Sequence, residues 1–281
     1  MTEQTLRSSD WNGRNGHQWL LHQGRLDAML APFGSAAIAA GALMPDMQVL
    51  DIGCGAGDST LAIAEQVGEN GTALGIDISQ ALIGRARERA EATGSRARFD
   101  LSDAAQASFP AAMFDCLFSR FGVMFFDDPV AAFPHLRPTL KPDGQLLFAC
   151  WRSAGDNDWV RLPMRAIAEI VSPTPPPPPH APGPFSFGDP ARITHILSAA
   201  GFGDIVITPF DHDILFGETV AAAVQRALDV GPLERALAGQ PDTVRARAIM
   251  AVGNAFDARR TDRGVVINGA AWIVAARPVA H

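Results

Sequence analysis

Apolar positions change their period along this chain, and the change predicts its architecture. Between Gln18 and Leu30, Trp19, Leu20, Leu26, Met29 and Leu30 recur at helical spacing. A second helical pattern runs from about Gly34 to Leu43, and Pro45 closes it. From Met47 onward, short apolar runs alternate with helix-period segments. The runs predict strands at 48–52, 72–77, 97–101, 114–119 and 145–151, with helices at about 58–67, 80–92 and 129–140. Pro134 and Pro138 are faults in the last helix. Asp58-Ser59-Thr60 and Ser79 offer helix caps, Gly94 a helix stop, and Asn70-Gly71 and Lys141–Gly144 turns. Strand and helix at such short spacing imply a parallel, doubly wound sheet with helices on both faces.

Past residue 151 the pattern loosens. Residues 173–184 are proline-rich and predict a stiff surface segment, a connection or a lid, partly polyproline II. A helix is expected at 190–200, closed by Gly201, then a strand within 205–216. Residues 218–256 are mostly helical and resemble an insertion, and Ala271–Ala276 forms a last apolar strand. The expected organisation is one domain over 1–281. Its parts are an N-terminal helical cap (1–46), a ligand-binding core (47–151), a Pro-rich loop (152–190) and C-terminal strands with a helical insertion (191–281, insertion 218–256).

Composition adds little to the fold but narrows the function. At 281 residues and 47% hydrophobic, the chain can bury a real core. A net charge of −7 argues against a general nucleic-acid binder, which carries a basic face. Cys54, Cys116 and Cys150 form no CxxC pair and no disulfide framework. Free thiols, together with a start that lacks a secretory apolar region, suit a cytoplasmic protein without a membrane span. The chain has no tyrosine, which removes one common general base.

The chemistry concentrates in Val49-Leu50-Asp51-Ile52-Gly53-Cys54-Gly55-Ala56-Gly57. A strand ends, three glycines turn the backbone, and a helix begins, so main-chain N–H groups face a ligand at close range. Dinucleotide sites use G-x-G-x-x-G with the pyrophosphate on the helix N-terminus. Here the spacing is G-x-G-x-G and Asp51 ends the strand, where a carboxylate repels a pyrophosphate but suits an ammonium. S-adenosylmethionine (SAM) carries an ammonium, a carboxylate and a sulfonium, and no phosphate. Asp77, 20 residues after Gly57, ends the second predicted strand and can accept from both ribose hydroxyls. Ile78 can pack on the adenine. Asp103 can accept from its amino group while the Ala104 N–H donates to a ring nitrogen, with Asp100 the rival to Asp103 if the register is shifted.

Taken together, VLDIGCGAGDST, GIDIS, LSDA, FDCLFSRFGVMFF and LKPDGQLLFACW resemble the class I SAM-dependent methyltransferases, in particular the small-molecule group of ubiquinone/menaquinone-type enzymes. The resemblance is firm over 47–151 and weaker in WNGRNGHQWLLHQGRLDAML, GPFSFGDPARITHILSAAGF and AAWIVAARP. It implies a Rossmann-like α/β fold: a seven-stranded sheet whose last strand is antiparallel and inserted beside the fifth, with strands six and seven near 205 and 271. It implies that main chain around Gly53 and Ser119 holds the amino-acid end of SAM, with Asp51 in support. Arg120 and Phe121 would face the methyl-donor pocket. In this family the N-terminal helices often close over the cofactor, which makes Trp11, Trp19 and Arg25 candidate contacts. The product would be S-adenosylhomocysteine (SAH).

Departures from related patterns narrow the acceptor. Ser119-Arg120-Phe121-Gly122 lacks the Asn/Asp-Pro-Pro-aromatic motif of DNA amino-methyltransferases. No aspartate-rich metal set is evident, so no metal is expected, and cysteines placed within strands and the glycine loop argue against an arsenic acceptor. The expected reaction is in-line methyl transfer to a small molecule, in which alignment and water exclusion do most of the work. The pocket is expected from the N-terminal helices, 152–190 and the 218–256 insertion. A base is required only if the acceptor loses a proton; His17 and His22 are the candidates, and Arg120 could meet an anionic acceptor. The acceptor atom (O, N or C) and the oligomeric state stay open, a homodimer being one option. The alternatives are a non-catalytic SAM-binding protein, another SAM-dependent reaction, or a nicotinamide-type oxidoreductase on the same sheet.

Overall fold

The computed structural model describes residues 11–172, 178 and 180–279. The chain divides into two compact units, one of Met1–Trp151, Pro179–Phe210 and Ala271–His281, the other of Arg152–Pro178 and Asp211–Ala270.

The first unit holds the alternating core. Helices α1 (Arg14–Leu21) and α2 (Gln23–Ala40) precede β1 (Gln48–Ile52), α3 (Asp58–Val67), β2 (Thr72–Asp77), α4 (Gln80–Thr93), β3 (Arg98–Leu101) and β4 (Phe114–Arg120). Then come α5 (Pro129–Leu136) and β5 (Leu140–Trp151). After α6 (Asp158–Ala166) follow α7 (Pro190–Ala199) and β6 (Phe202–Gly217). Helices α8 (Val220–Val230), α9 (Leu233–Leu237) and α10 (Asp242–Asp257) lead to β7 (Arg260–Thr261) and β8 (Gly264–Pro278).

The sheet order is β3-β2-β1-β4-β5-β8-β6, with β7 paired to β8 alone. β1 pairs in parallel with β2 and β4, β2 with β3, and β4 with β5. β8 runs antiparallel to β5, from Leu146↔Ala276 to Trp151↔Ala271. The expected insertion of the last strand beside the fifth is therefore present, and the short β7 raises the strand count from seven to eight. Val49, Leu50, Ile52, Ile76, Cys116, Leu117, Phe118, Leu146, Leu147 and Phe148 are almost fully buried. That is why these strands read as unbroken apolar runs rather than alternating ones.

Four local expectations need correction. The N-terminal helices break at His22, not after Leu30, and α2 runs through Pro32. Its buried stripe of Leu26, Leu30, Phe33 and Ala37 continues past the proline, and that packing outweighs a helix-interior cost of about 3 kcal/mol. Lys141–Gly144 is no separating turn but a bulge inside β5, where the pairing jumps from Phe114↔Leu140 to Cys116↔Gln145. Neither Ser79 nor Asp58 caps with its side chain: Ser79 holds the N-cap position of α4 without a side-chain bond, and left-handed Gly57 is the N-cap of α3. The last strand begins at Gly264, not Ala271. The expected polyproline segment lies largely outside the described residues.

The second unit is helical around its own core, which includes Trp159, Ala227, Leu237, Val252 and Phe256. Buried Asn157 organises it. Its amide nitrogen donates to the Ala270 carbonyl at 3.0 Å, and its oxygen accepts from the Ala270 N–H at 2.9 Å.

Candidate functional site

The first unit's parallel strands end at one edge, and the loops that leave β1, β2 and β4 meet there. The β1 loop is the tightest. The Gly53 and Cys54 N–H groups both donate to the Ile76 carbonyl, and Gly53, Gly55 and Gly57 have φ of +68°, +55° and +85°. A Cβ on Gly53 would stand 2.8 Å from the Gly122 Cα, so the loops after β1 and β4 touch backbone to backbone. Gly55 differs: the nearest atom to its would-be Cβ is the Trp19 indole nitrogen at 3.9 Å. Among the described residues only that indole comes within 4 Å.

Asp77 holds this loop in shape. One carboxylate oxygen accepts from the Gly55 N–H at 2.9 Å and the other from the Ser79 N–H at 2.8 Å. Burial raises its pKa above the ordinary value despite those bonds. With the Ile78 N–H also bonded to it, the carboxylate still keeps room among its roughly four acceptor sites for a further donor.

Asp51 lies beneath. One oxygen accepts from the Ser59 and Thr60 hydroxyls at 2.7 and 2.6 Å; the other, also buried, has no partner among the described residues. Desolvation pushes its pKa up to about 6, against the lowering effect of the Thr60 and Ser59 bonds and the Arg120 charge. A buried, half-satisfied carboxylate is costly unless a donor or cation completes it. Two of the residues proposed as N-terminal caps for α3, Ser59 and Thr60, thus serve this acid instead.

The Ser119 side chain is engaged within the protein. Its buried hydroxyl donates to the Ile52 carbonyl at 2.8 Å and accepts from the Gly122 and Val123 N–H groups at 3.1 and 3.2 Å, tying the ends of β1 and β4 together. Phe121 follows in the left-handed region, with φ +63°. Its ring stacks on Trp151 at 4.2 Å and meets Phe33 edge-on at 5.7 Å. Arg120, offered as a group for an anionic acceptor, is engaged elsewhere: it pairs with Asp58 at 2.7 Å and Asp27 at 3.3 Å, with its side chain only 8% exposed.

The remaining candidates are more peripheral. Asp103 accepts from the Ala105 N–H at 2.9 Å and the Gln106 amide at 2.8 Å, and Ala104 is buried. Its rival Asp100 lies inside β3, exposed, 3.9 Å from Arg87. Ile78 is half-buried and its carbonyl accepts from Asn12. Trp19 meets Trp11 edge-on at 5.7 Å, and Trp11 meets Phe125 at 5.0 Å, which fixes the indole over Gly55. Arg25 and His17 are exposed, and His22 joins α1 to α2, half-buried. Among the described residues no group of three His, Cys, Asp or Glu could hold a metal ion, and no helix is long and apolar enough to cross a membrane. The three cysteines are free and buried, and burial pushes each thiol pKa up.

Sequence reasoning missed Asn12, Asp27, Arg89 and Trp151, and read Asp58 only as a helix cap. Asp27 alone gave a signal, as a single acid beside Leu26 and one turn before Leu30 on an apolar stripe.

Comparison with known proteins agrees with this geometry. The sequence profile described as "Methyltransferase domain" matches residues 49–144. Nocamycin O-methyltransferase of Saccharothrix syringae is 33% identical over 170 residues, covering 57% of this chain and 61% of that protein. The aklanonic acid methyltransferase DauC of Streptomyces sp. (strain C5) is 37% identical over 102 residues, covering 36% of this chain and 46% of the relative. The chain thus matches about half to three-fifths of the length of these relatives. The crystal structure of the YcgJ protein of Bacillus subtilis shares the fold, with TM-score 0.59 and 18% identity over 89% of this chain and 100% of that one. A parallel sheet with one inserted antiparallel strand, a glycine turn after β1, an acid at the end of β2 and the matching profile converge on one reading: residues 49–144 form a methyltransferase domain of the SAM-dependent type.

Proposed function

We propose that this chain transfers a methyl group from SAM to a small-molecule acceptor. The observation that carries the reading is the face of Gly55, approached within 4 Å among the described residues only by the Trp19 indole, beside a buried carboxylate, Asp77, with acceptor capacity to spare. The fit to SAM is good on this chain's own atoms. Asp77 suits the ribose diol, the glycine turn admits close approach of the main chain, and the unpartnered oxygen of Asp51 suits the ammonium, directly or through water. When bound, SAM supplies a methyl group on a positively charged sulfur. The Trp19 indole shields the Gly55 face from water, and Arg120 stays with its own carboxylates rather than competing for the acceptor. The relative named as an O-methyltransferase makes hydroxyl-bearing small molecules the first acceptors to try.

The test is calorimetry with SAM and SAH, followed by turnover on an acceptor panel with SAH release as the readout. The wild type should bind both, and Asp77→Ala should weaken binding about 100-fold, on the scale of a charged hydrogen-bonding group. Absence of heat with the wild type, or unaltered binding by Asp77→Ala, would refute the reading.

A further inference from the structure

Two arginines and two aspartates close a ring behind the glycine loop. Arg89 pairs with Asp27 at 2.9 Å and with Asp58 at 3.2 Å. Arg120 pairs with Asp58 at 2.7 Å and with Asp27 at 3.3 Å. Each guanidinium bridges both carboxylates, and each carboxylate meets both guanidiniums. The ring is largely sheltered, with side-chain exposures of 8% for Arg120, 11% for Asp27, 20% for Arg89 and 27% for Asp58. Charges so placed are screened little, and removing one leaves its partners buried without compensation.

The four residues come from elements far apart in sequence. Asp27 belongs to α2, where it is the one acidic residue. Asp58 opens α3 directly after Gly57, Arg89 lies on α4 and Arg120 ends β4. Arg89 does one thing more: it donates to the Ala56 carbonyl at 2.7 Å, inside the glycine loop. One guanidinium therefore grips the loop's backbone between Gly55 and Gly57 while pairing with the N-terminal helix. Against Gly55 of the same loop stands Trp19, from the helix that joins α2 at His22. A further tie lies at the far end, where the Asn12 amide donates to the Ile78 carbonyl and accepts from the Gln80 N–H.

We propose that this ring is a latch. It makes docking of α1–α2 and the shape of the glycine loop one event, and Asp27 is a positioning residue that holds Trp19 over the cofactor through Arg89 and Arg120. The inference rests on the assignment of the Gly55 face to SAM. Loss of Asp27 leaves the loop its Arg89–Ala56 and Arg89–Asp58 contacts but removes the charge that fastens the helices to it. Association with the cofactor then changes little, whereas escape from beneath the indole becomes faster.

The experiment compares the wild type, Asp27→Asn, Asp27→Glu and Arg89→Lys, all as full chains. SAH association and dissociation are followed by stopped-flow tryptophan fluorescence, and folding by circular dichroism. Folded Asp27→Asn should release SAH about tenfold faster with association little changed, a coupling of ordinary size. Asp27→Glu should recover part of the loss, which a packing role would not permit. Arg89→Lys keeps the charge but loses the fork, and should behave like Asp27→Asn; it carries the test if Asp27→Asn does not fold. Wild-type binding with unchanged release from the folded variants would overturn the latch alone. Failure of the wild type to bind SAH would overturn the functional assignment and the latch with it.

Discussion

Asp51 sets the stability of this site against its function. Burial raises its pKa to about 6 from an ordinary 3.8, so the folded chain keeps the proton over a range in which the unfolded chain has lost it. Folding stability therefore falls as pH rises from about 4 to about 6 and is level above that, a loss of about 3 kcal/mol from this group. Asp77 shifts in the same direction for the same reason. Asp51→Asn should flatten that slope, as read from urea denaturation at pH 4.5 and pH 7; an equally steep slope in the variant would assign it to other groups. SAH binding should run the opposite way. Its ammonium favours the ionised carboxylate, so wild-type affinity should rise between pH 5 and pH 7, and calorimetry should find that rise reduced in Asp51→Asn.

At the level of elements, the turn after β4 carries the strain. Phe121 adopts a left-handed backbone, which for a bulky residue costs about 1–3 kcal/mol. The stacked contact with Trp151 and the edge contact with Phe33 hold it there. Phe121→Ala should destabilise the chain by about 3–5 kcal/mol through the lost ring. Phe121→Gly should be the milder change, by about 1 kcal/mol, because glycine adopts this φ freely. Equilibrium unfolding of the two variants decides it, and an alanine variant as stable as the glycine one would contradict the strain. Ser119→Ala belongs to the same turn. It leaves the Gly122 and Val123 N–H groups without their acceptor and should cost about 1–3 kcal/mol.

For the whole molecule, every residue assigned to the cofactor lies in the first compact unit. Ligand binding to the native state alone should stabilise it by about 2.7 kcal/mol at a hundred times the dissociation constant. In hydrogen exchange, added SAH should slow the amides of residues 53–57, 77–80 and 119–123, where donors and acceptors of the three loops interlock. Exchange in these loops that ignored SAH would place the cofactor elsewhere.

By itself, the sequence determined the order of strands and helices, the glycine turn after β1 and the acid at the end of β2. These are local signals: apolar runs mark strands buried on both faces, and glycines mark a backbone that must turn left-handed or approach closely. Only tertiary structure decided what the polar side chains do. Ser59 and Thr60 looked like helix caps and instead complete a buried carboxylate, because β1 brings Asp51 within reach of both hydroxyls. Arg120 looked like a hand for the acceptor and is held by Asp27, 93 positions earlier. The patterns up to Leu30 and from Gly34 looked like separate helices and are continuous through Pro32, carried by the packing of Phe33 and Ala37. Pairings across such distances leave no periodicity in one chain, since charge and hydrogen-bond partners are chosen by where folding places them.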